Sequence, residues 1–124
     1  MYLSYDEIVE IHNLQISHYG GESGTLNHGN LDFTVEMQTR FTDPFEVAAF
    51  LLYNIATLHP FCDGNKRTAF MSAYLLLCQE GFEFNATNDD VEIFMFSVAS
   101  SNESQKSVQQ WLETYVTKKC DLLT

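Results

Sequence analysis

The segment from about Gly64 to Glu80 is apolar nearly all round, through Phe70, Ala73, Tyr74, Leu75, Leu76 and Leu77. A helix with no polar face belongs at the centre of a bundle, enclosed by other helices. The flanking sequence supplies them. Ser4 with Glu7 fits a capping box, and Tyr5, Ile8, Val9, His12 and Ile16 continue it as one helical stripe. A short helix is expected from Leu31 to about Arg40. Asp43-Pro44 is a helix start, with Asp as cap and Pro in the first turn, followed by Val47, Ala48, Leu51, Leu52, Ile55 and Leu58 at helical spacing. Gly81 ends the apolar helix as a C-cap. Asn88 is expected to cap a helix carrying Val91, Phe94, Met95, Val98 and Ala99. A last helix carries Val108, Trp111, Leu112, Tyr115 and Val116, with Lys118 and Lys119 at its C-terminal end, where cations are favoured. Only Phe82-Glu83-Phe84 reads as extended. The fold class is all-α: a compact helical bundle around a central hydrophobic helix.

Its 124 residues suit a single domain over 1–124, large enough for one core and too small for two. An apolar fraction of 45% with 14% aromatics is that of a globular chain. The longest nearly apolar run, Ala69 to Cys78, is too short to span a bilayer. The N-terminus lacks a basic region followed by an apolar block, so no secretion signal is read there. Cys62, Cys78 and Cys120 are odd in number and lack metal-type spacing, which suits reduced thiols in the cytoplasm. The net charge of −11, from 17 acids against 6 Lys plus Arg, repels nucleic-acid backbones and argues against direct DNA or RNA binding. The acidic surface favours a basic protein partner, although a solvated acidic face is the commoner case.

Two of those six cations are adjacent, in His59-Pro60-Phe61-Cys62-Asp63-Gly64-Asn65-Lys66-Arg67-Thr68. This stretch joins two helices, and Gly64 allows a tight backbone approach at the start of the second. A fresh helix N-terminus presents N–H groups with no internal partners, and its dipole favours an anion. Lys66 and Arg67 add full charges there. Asp63 can hold a divalent cation, and His59 is close enough to move a proton. A phosphate-bearing ligand with a metal fits this inventory best.

Each residue also has a plainer reading. His59 can cap the preceding helix, but four residues before Asp63 and ahead of an anion turn, a general base is favoured, because imidazole titrates near neutrality. Asp63 can cap the next helix, a job compatible with metal binding if different oxygens serve each. One carboxylate beside an anion site suffices for Mg²⁺, which takes its remaining ligands from phosphates and water. Asn65 can be a turn residue. Lys66 and Arg67 can be solvated, but cations sit poorly at the positive end of a helix dipole unless a polyanion lies between. Arg67 can then grip a phosphate by two bonds and Lys66 act as a point charge. Phe61 anchors the loop, Pro60 stiffens it and Thr68 faces the helix interior. A Cys62–His59 nucleophile pair lacks an oxyanion segment. Zinc on His59, Cys62 and Asp63 lacks a fourth ligand. Gly20, Gly21, Gly24 and Gly29 mark an exposed flexible loop.

The motif closely resembles the signature of the Fic/Doc superfamily, His-x-Phe-x-Asp/Glu-Gly/Ala-Asn-x-Arg. Lys66 matches its Doc (death-on-curing) branch, the toxins of toxin–antitoxin pairs, where Fic members usually carry glycine. Ile16-Ser17-His18-Tyr19-Gly20-Gly21 is similar to the family's N-terminal segment, and Leu75 to Gly81 to the end of its central helix. The resemblance implies the same helical architecture, His59 as the base for a target hydroxyl, and Asp63 as the Mg²⁺ ligand. It implies Gly64, Asn65, Lys66 and Arg67 as the nucleotide-phosphate site, with Asn65 orienting the phosphates. It further implies transfer of the γ-phosphate of ATP to a hydroxyl of a cytosolic protein, such as an elongation factor, under control of an antitoxin. AMP transfer of the Fic type, with the nucleotide reversed, is the enzymatic alternative, and a non-catalytic nucleotide- or protein-binding module is the other. The glycine loop corresponds to a flap that docks the target. Two departures stand out: His28-Gly29-Asn30-Leu31-Asp32 lacks the arginine many relatives carry, and Met71 stands where AMP-transferring relatives have a second phosphate-binding arginine. No internal inhibitory motif of the Fic type is present.

Overall fold

Local signals decide where the helices of this chain begin. The structure, a computed structural model, describes residues 1–119; Cys120, one of the three expected thiols, lies outside them. Ser4 and Glu7 close a reciprocal capping box that starts α1, Tyr5–Tyr19. Asn27 caps α2, His28–Met37, which tightens into a 3₁₀ turn over Gln38–Arg40. This helix starts three residues earlier than expected and takes in Gly29, because Asn27 accepts the Asn30 N–H and sets the first turn. Asp43 and Pro44 open α3, Pro44–Leu58, as predicted. After the motif loop come α4, Asn65–Gln79, and a short strand β1, Phe82–Phe84. Thr87, one residue before the expected Asn88, caps α5, Asn88–Ala99, in a capping box with Asp90. Ser104 caps α6, Gln105–Tyr115.

The fold is all-α apart from one small antiparallel pair. β1 pairs with β2, Val116–Lys118, in the register Phe82 with Lys118 and Phe84 with Val116. The last helix is therefore shorter than its apolar stripe suggested, and Val116 and Lys118 belong to a strand. Lys119 continues that path, donating its N–H to Gly81 O. The two lysines do not neutralise a helix end. Pairing with β1 satisfies this segment's backbone groups better than another half-turn of helix would.

The centre of the bundle is α3. Nine of its residues are buried, from Val47 to Ala56, and it packs against α2, α4, α5 and α6. The apolar α4, expected at the centre, buries only Thr68, Ala69, Ser72, Ala73, Leu76 and Leu77. Its other face, with Phe70, Met71 and Tyr74, lines an open cleft. Apolarity all round is thus explained by core on one side and cleft on the other. No helix among the described residues is long and apolar enough to cross a membrane.

Candidate active site

The motif lies where α3 hands over to α4. His59 follows the last turn of α3 in the left-handed region, at φ 49° and ψ 60°, which a non-glycine residue adopts only with support. Support comes from both sides. The Asn30 side chain donates to Leu58 O at 2.8 Å, and Pro60 O accepts the N–H groups of Leu26 and Asn27 at 2.8 and 2.9 Å. The His59 ring is left exposed at the surface.

Beyond Pro60 the loop is held from below. Phe61 is 1% exposed, and its ring stacks on His12 at 3.9 Å with 5° between the planes. The Asn65 amide closes the loop on itself: Oδ1 accepts the Phe61 N–H and Nδ2 donates to Phe61 O, each at 3.0 Å. Asn65 was expected to orient phosphates; its side chain is occupied in shaping the turn, and its main-chain N–H faces the helix start. Thr68 points inward as predicted.

Asp63 is exposed, and its carboxylate is fixed by backbone. Oδ1 accepts the Gly64 N–H at 2.8 Å and Oδ2 the Glu22 N–H at 3.3 Å. The Gly64 bond is the main reason its pKa falls below the usual 3.8. The Glu22 bond adds to this; desolvation opposes it, and the nearby Arg67 and His12 lower the pKa further by smaller amounts. An ionised carboxylate with spare lone pairs on both oxygens fits one position of a Mg²⁺ shell. Among the described residues no three acidic, histidine or cysteine side chains cluster to hold a metal by themselves. Substrate phosphates would have to complete the shell.

Among the described residues every α-helix but one has a side-chain N-cap, from Ser4, Asn27, Asp43, Thr87 or Ser104. The exception is α4, whose cap position is Gly64 and whose first turn receives no side-chain bond. The N–H groups of Asn65, Lys66 and Arg67 precede the first intrahelical bond, Thr68 N–H to Gly64 O at 3.0 Å. Lys66 and Arg67 are exposed on that same turn. Lys66 Nζ lies 5.8 Å from the Phe96 ring centre, and the Arg67 guanidinium 4.9 Å from that of Tyr19. Both cations border a cleft of about 710 Å³ between α1, α4 and α5, floored by Phe70, Met71 and Tyr74. His59, Asp63, Gly64 and Asn65 are not in its lining; Asp63, Gly64 and Asn65 form the turn into α4, and His59 stands at the other end of the loop, directly after α3. An anion on the α4 amides would meet both cations, with the cleft open to whatever the anion is attached to.

The glycine loop is tied down more than its composition suggested. Thr25 and Phe61 form an isolated antiparallel bridge, and Cys62 N–H reaches Gly24 O at 3.1 Å. At Gly21, with φ 115°, an added Cβ would sit 2.7 Å from Asp63 Oδ2, so glycine is what lets this loop reach the carboxylate. Glu22, Asn30 and His12 had no place in the sequence-level site. Asn30 follows the glycine loop and His12 belongs to an apolar stripe, but the contacts they make span 28 and 51 residues.

The family model described as Fic/DOC matches residues 2–77, which include α1, the glycine loop, the motif and the start of α4. The chain belongs to the Fic/DOC family. "Protein kinase doc" of Escherichia phage P1 is 38% identical over 88 residues, covering 66% of this chain and 70% of the phage protein. A Fido domain-containing protein of Dictyostelium discoideum is 41% identical over 56 residues, 42% of this chain and 39% of its own length. "Protein adenylyltransferase fic-1" of Caenorhabditis elegans is 38% identical over 52 residues, 42% of this chain and 10% of its own. The chain thus spans under half of the latter two proteins. The longer match sets it with the Doc branch of the Fic/DOC family, as Lys66 indicated.

Proposed function

We propose that this chain is a Doc-type protein kinase, the toxin of a toxin–antitoxin pair, that transfers the γ-phosphate of ATP to a hydroxyl of a cytosolic protein. The observation that carries the reading is the start of α4: the one helix among the described residues without a side-chain cap, with Lys66 and Arg67 on its first turn. Phosphoryl transfer asks mainly for positioning and for charge neutralisation, and three free amides with two cations supply that. His59, exposed at the start of the motif loop, takes the proton from the incoming hydroxyl. Asp63, ionised and pointed by two backbone N–H groups, holds Mg²⁺, which when bound supplies further positive charge to the phosphates. Asn65 keeps the turn closed. The nucleotide's remainder lies toward the cleft. Control by an antitoxin and a translation elongation factor as target are inherited from the Doc branch as part of the same proposal.

The site supports the γ-phosphate over AMP transfer. Lys66 takes room that glycine would leave for the terminal phosphates, and Met71, on the cleft floor, offers no charge where a second arginine would grip them. Incubation of the purified chain with cell lysate, Mg²⁺ and ATP labelled separately at the α- and γ-positions is the test. Label on a protein from γ-labelled ATP alone is the expected result. Label from the α-position alone would mean AMP transfer, and binding of ATP with neither label transferred would leave a nucleotide-binding module.

A further inference from the structure

We propose that His12, on α1 and outside the motif, is a positioning residue for this site: it fixes the orientation of the Asp63–Gly64 peptide, and through it the Asp63 carboxylate and the start of α4. The inference rests on the motif being a transfer site, but not on which phosphate is transferred. The His12 ring is 1% exposed, and its Nε2 lies 2.7 Å from Asp63 O. A carbonyl oxygen only accepts, so Nε2 carries the proton. The N–H of the same peptide, that of Gly64, is held by Asp63 Oδ1 at 2.8 Å. This peptide group is therefore gripped at both ends, by His12 on the oxygen and by the carboxylate on the nitrogen.

The grip matters because the local sequence cannot set this peptide by itself. Gly64 sits at φ 75°, and glycine adopts positive and negative φ about equally well. Rotating the Asp63–Gly64 peptide by half a turn is thus sterically cheap at its glycine end. Such a flip would turn the carbonyl toward the side now occupied by the Gly64 N–H. It would face the Asp63 carboxylate with an oxygen, removing the strongest of the bonds that aim it. His12 opposes this with a buried donor that would lose its partner, a costly outcome for a buried polar group. Its packing keeps the donor in place: one face lies flat on Phe61, and Gly64 is so close that an added Cβ would be 3.7 Å from Nε2.

Two substitutions separate the donor from the packing. His12→Phe keeps a flat ring against Phe61 and removes the N–H. His12→Gln removes the ring and offers an amide N–H at a similar reach to Nε2. The expected result is that His12→Phe lowers kcat for label transfer by roughly 10²-fold, the scale of a misplaced reacting group, and raises KM for ATP, because the Asp63 carboxylate and the α4 amides are displaced together, with the melting temperature retained. His12→Gln should recover most of kcat despite the poorer packing. Amide hydrogen exchange gives an answer that needs no activity. In His12→Phe the N–H groups of Phe61 and Cys62, which the ordered loop protects, should exchange at least tenfold faster, while core amides of α3 are unchanged. Equal kcat and equal loop protection in His12→Phe and the parent chain would overturn the inference, as would His12→Gln behaving worse than His12→Phe. Should the parent chain transfer no label, the proposed function falls, and the exchange measurement still decides the role of His12.

Discussion

At the scale of single residues, the proposed site separates exposed groups from the groups that hold them. His59 is exposed and makes no side-chain hydrogen bond among the described residues, while its backbone is fixed by contacts to its neighbours on both sides. Replacing it by Ala should therefore leave the melting temperature nearly unchanged, and lower the rate of transfer by about 10²- to 10⁴-fold, the usual contribution of a positioned base. Full toxicity on expression of a folded His59→Ala variant would remove the catalytic reading. Asp63 makes a prediction in pH. Its pKa is lowered by the Gly64 and Glu22 N–H groups, so the folded form releases the proton more readily than the unfolded chain. Its favourable contribution is present above the unfolded value near 3.8, and is lost as pH falls through the lower folded value. An NMR titration should place the Asp63 midpoint below 3.8 in the parent chain. In Gly21→Ala it should move back toward 3.8, because the new Cβ collides with Oδ2 and displaces the Glu22 bond. A midpoint at or above 3.8 in the parent chain would contradict the geometry.

At the scale of elements, what could be read from the sequence was what is encoded locally. Ser4 with Glu7, and Asp43 with Pro44, announce helix starts within four residues, and the structure has both. The motif is likewise contiguous, so its loop-then-helix form was legible. Pairings between distant segments were not. β2 exists because Val116–Lys118 meets Phe82–Phe84, and nothing in Val116-Thr117-Lys118 alone distinguishes a strand from another half-turn of helix. The central position was assigned to α4 on apolarity. A cleft wall and a core face look alike in a hydrophobic pattern, and α3, with Asn54 buried among its aliphatic residues, is the enclosed one. The same blindness hid His12, Glu22 and Asn30, which reach the motif from sequence distances of 28 to 51 residues. The start of α4 carries its own test. Gly64→Ala forces a left-handed L-residue and brings a Cβ within 3.3 Å of Ile16 Cδ1. It should destabilise the fold by about 1–2 kcal/mol, from the conformational cost alone. Denaturant unfolding measures this, and an unchanged midpoint would mean that the turn adopts another form.

For the whole molecule the governing quantity is charge. The chain carries −11, and among the described residues the only ion pair is that of the Met1 amino group with Glu80, at 3.7 Å. The acids are therefore balanced by solvent counter-ions and not by the chain's own cations, and their mutual repulsion opposes the compact state. The Debye length falls from about 30 Å at 0.01 M salt to about 10 Å at 0.1 M, so added salt should screen much of that repulsion. Melting temperature should rise with sodium chloride across this range, and a fall would show that attractive pairs dominate. A ligand tests the other side of the same field. Lys66 and Arg67 form a local positive site within a negative body, so under the proposed function an ATP polyanion would have to cross an unfavourable field to reach them. Its apparent affinity should therefore improve with moderate salt before direct screening at the α4 end weakens it, and Mg²⁺, by lowering the charge of ATP, should flatten that dependence. A basic segment of the proposed antitoxin would face the opposite field, and its affinity should fall steadily with salt. Isothermal titrations of ATP, with and without Mg²⁺, over a salt series decide the point: affinity for free ATP that falls monotonically from the lowest salt would mean that the two cations and three amides outweigh the acidic body even at long range.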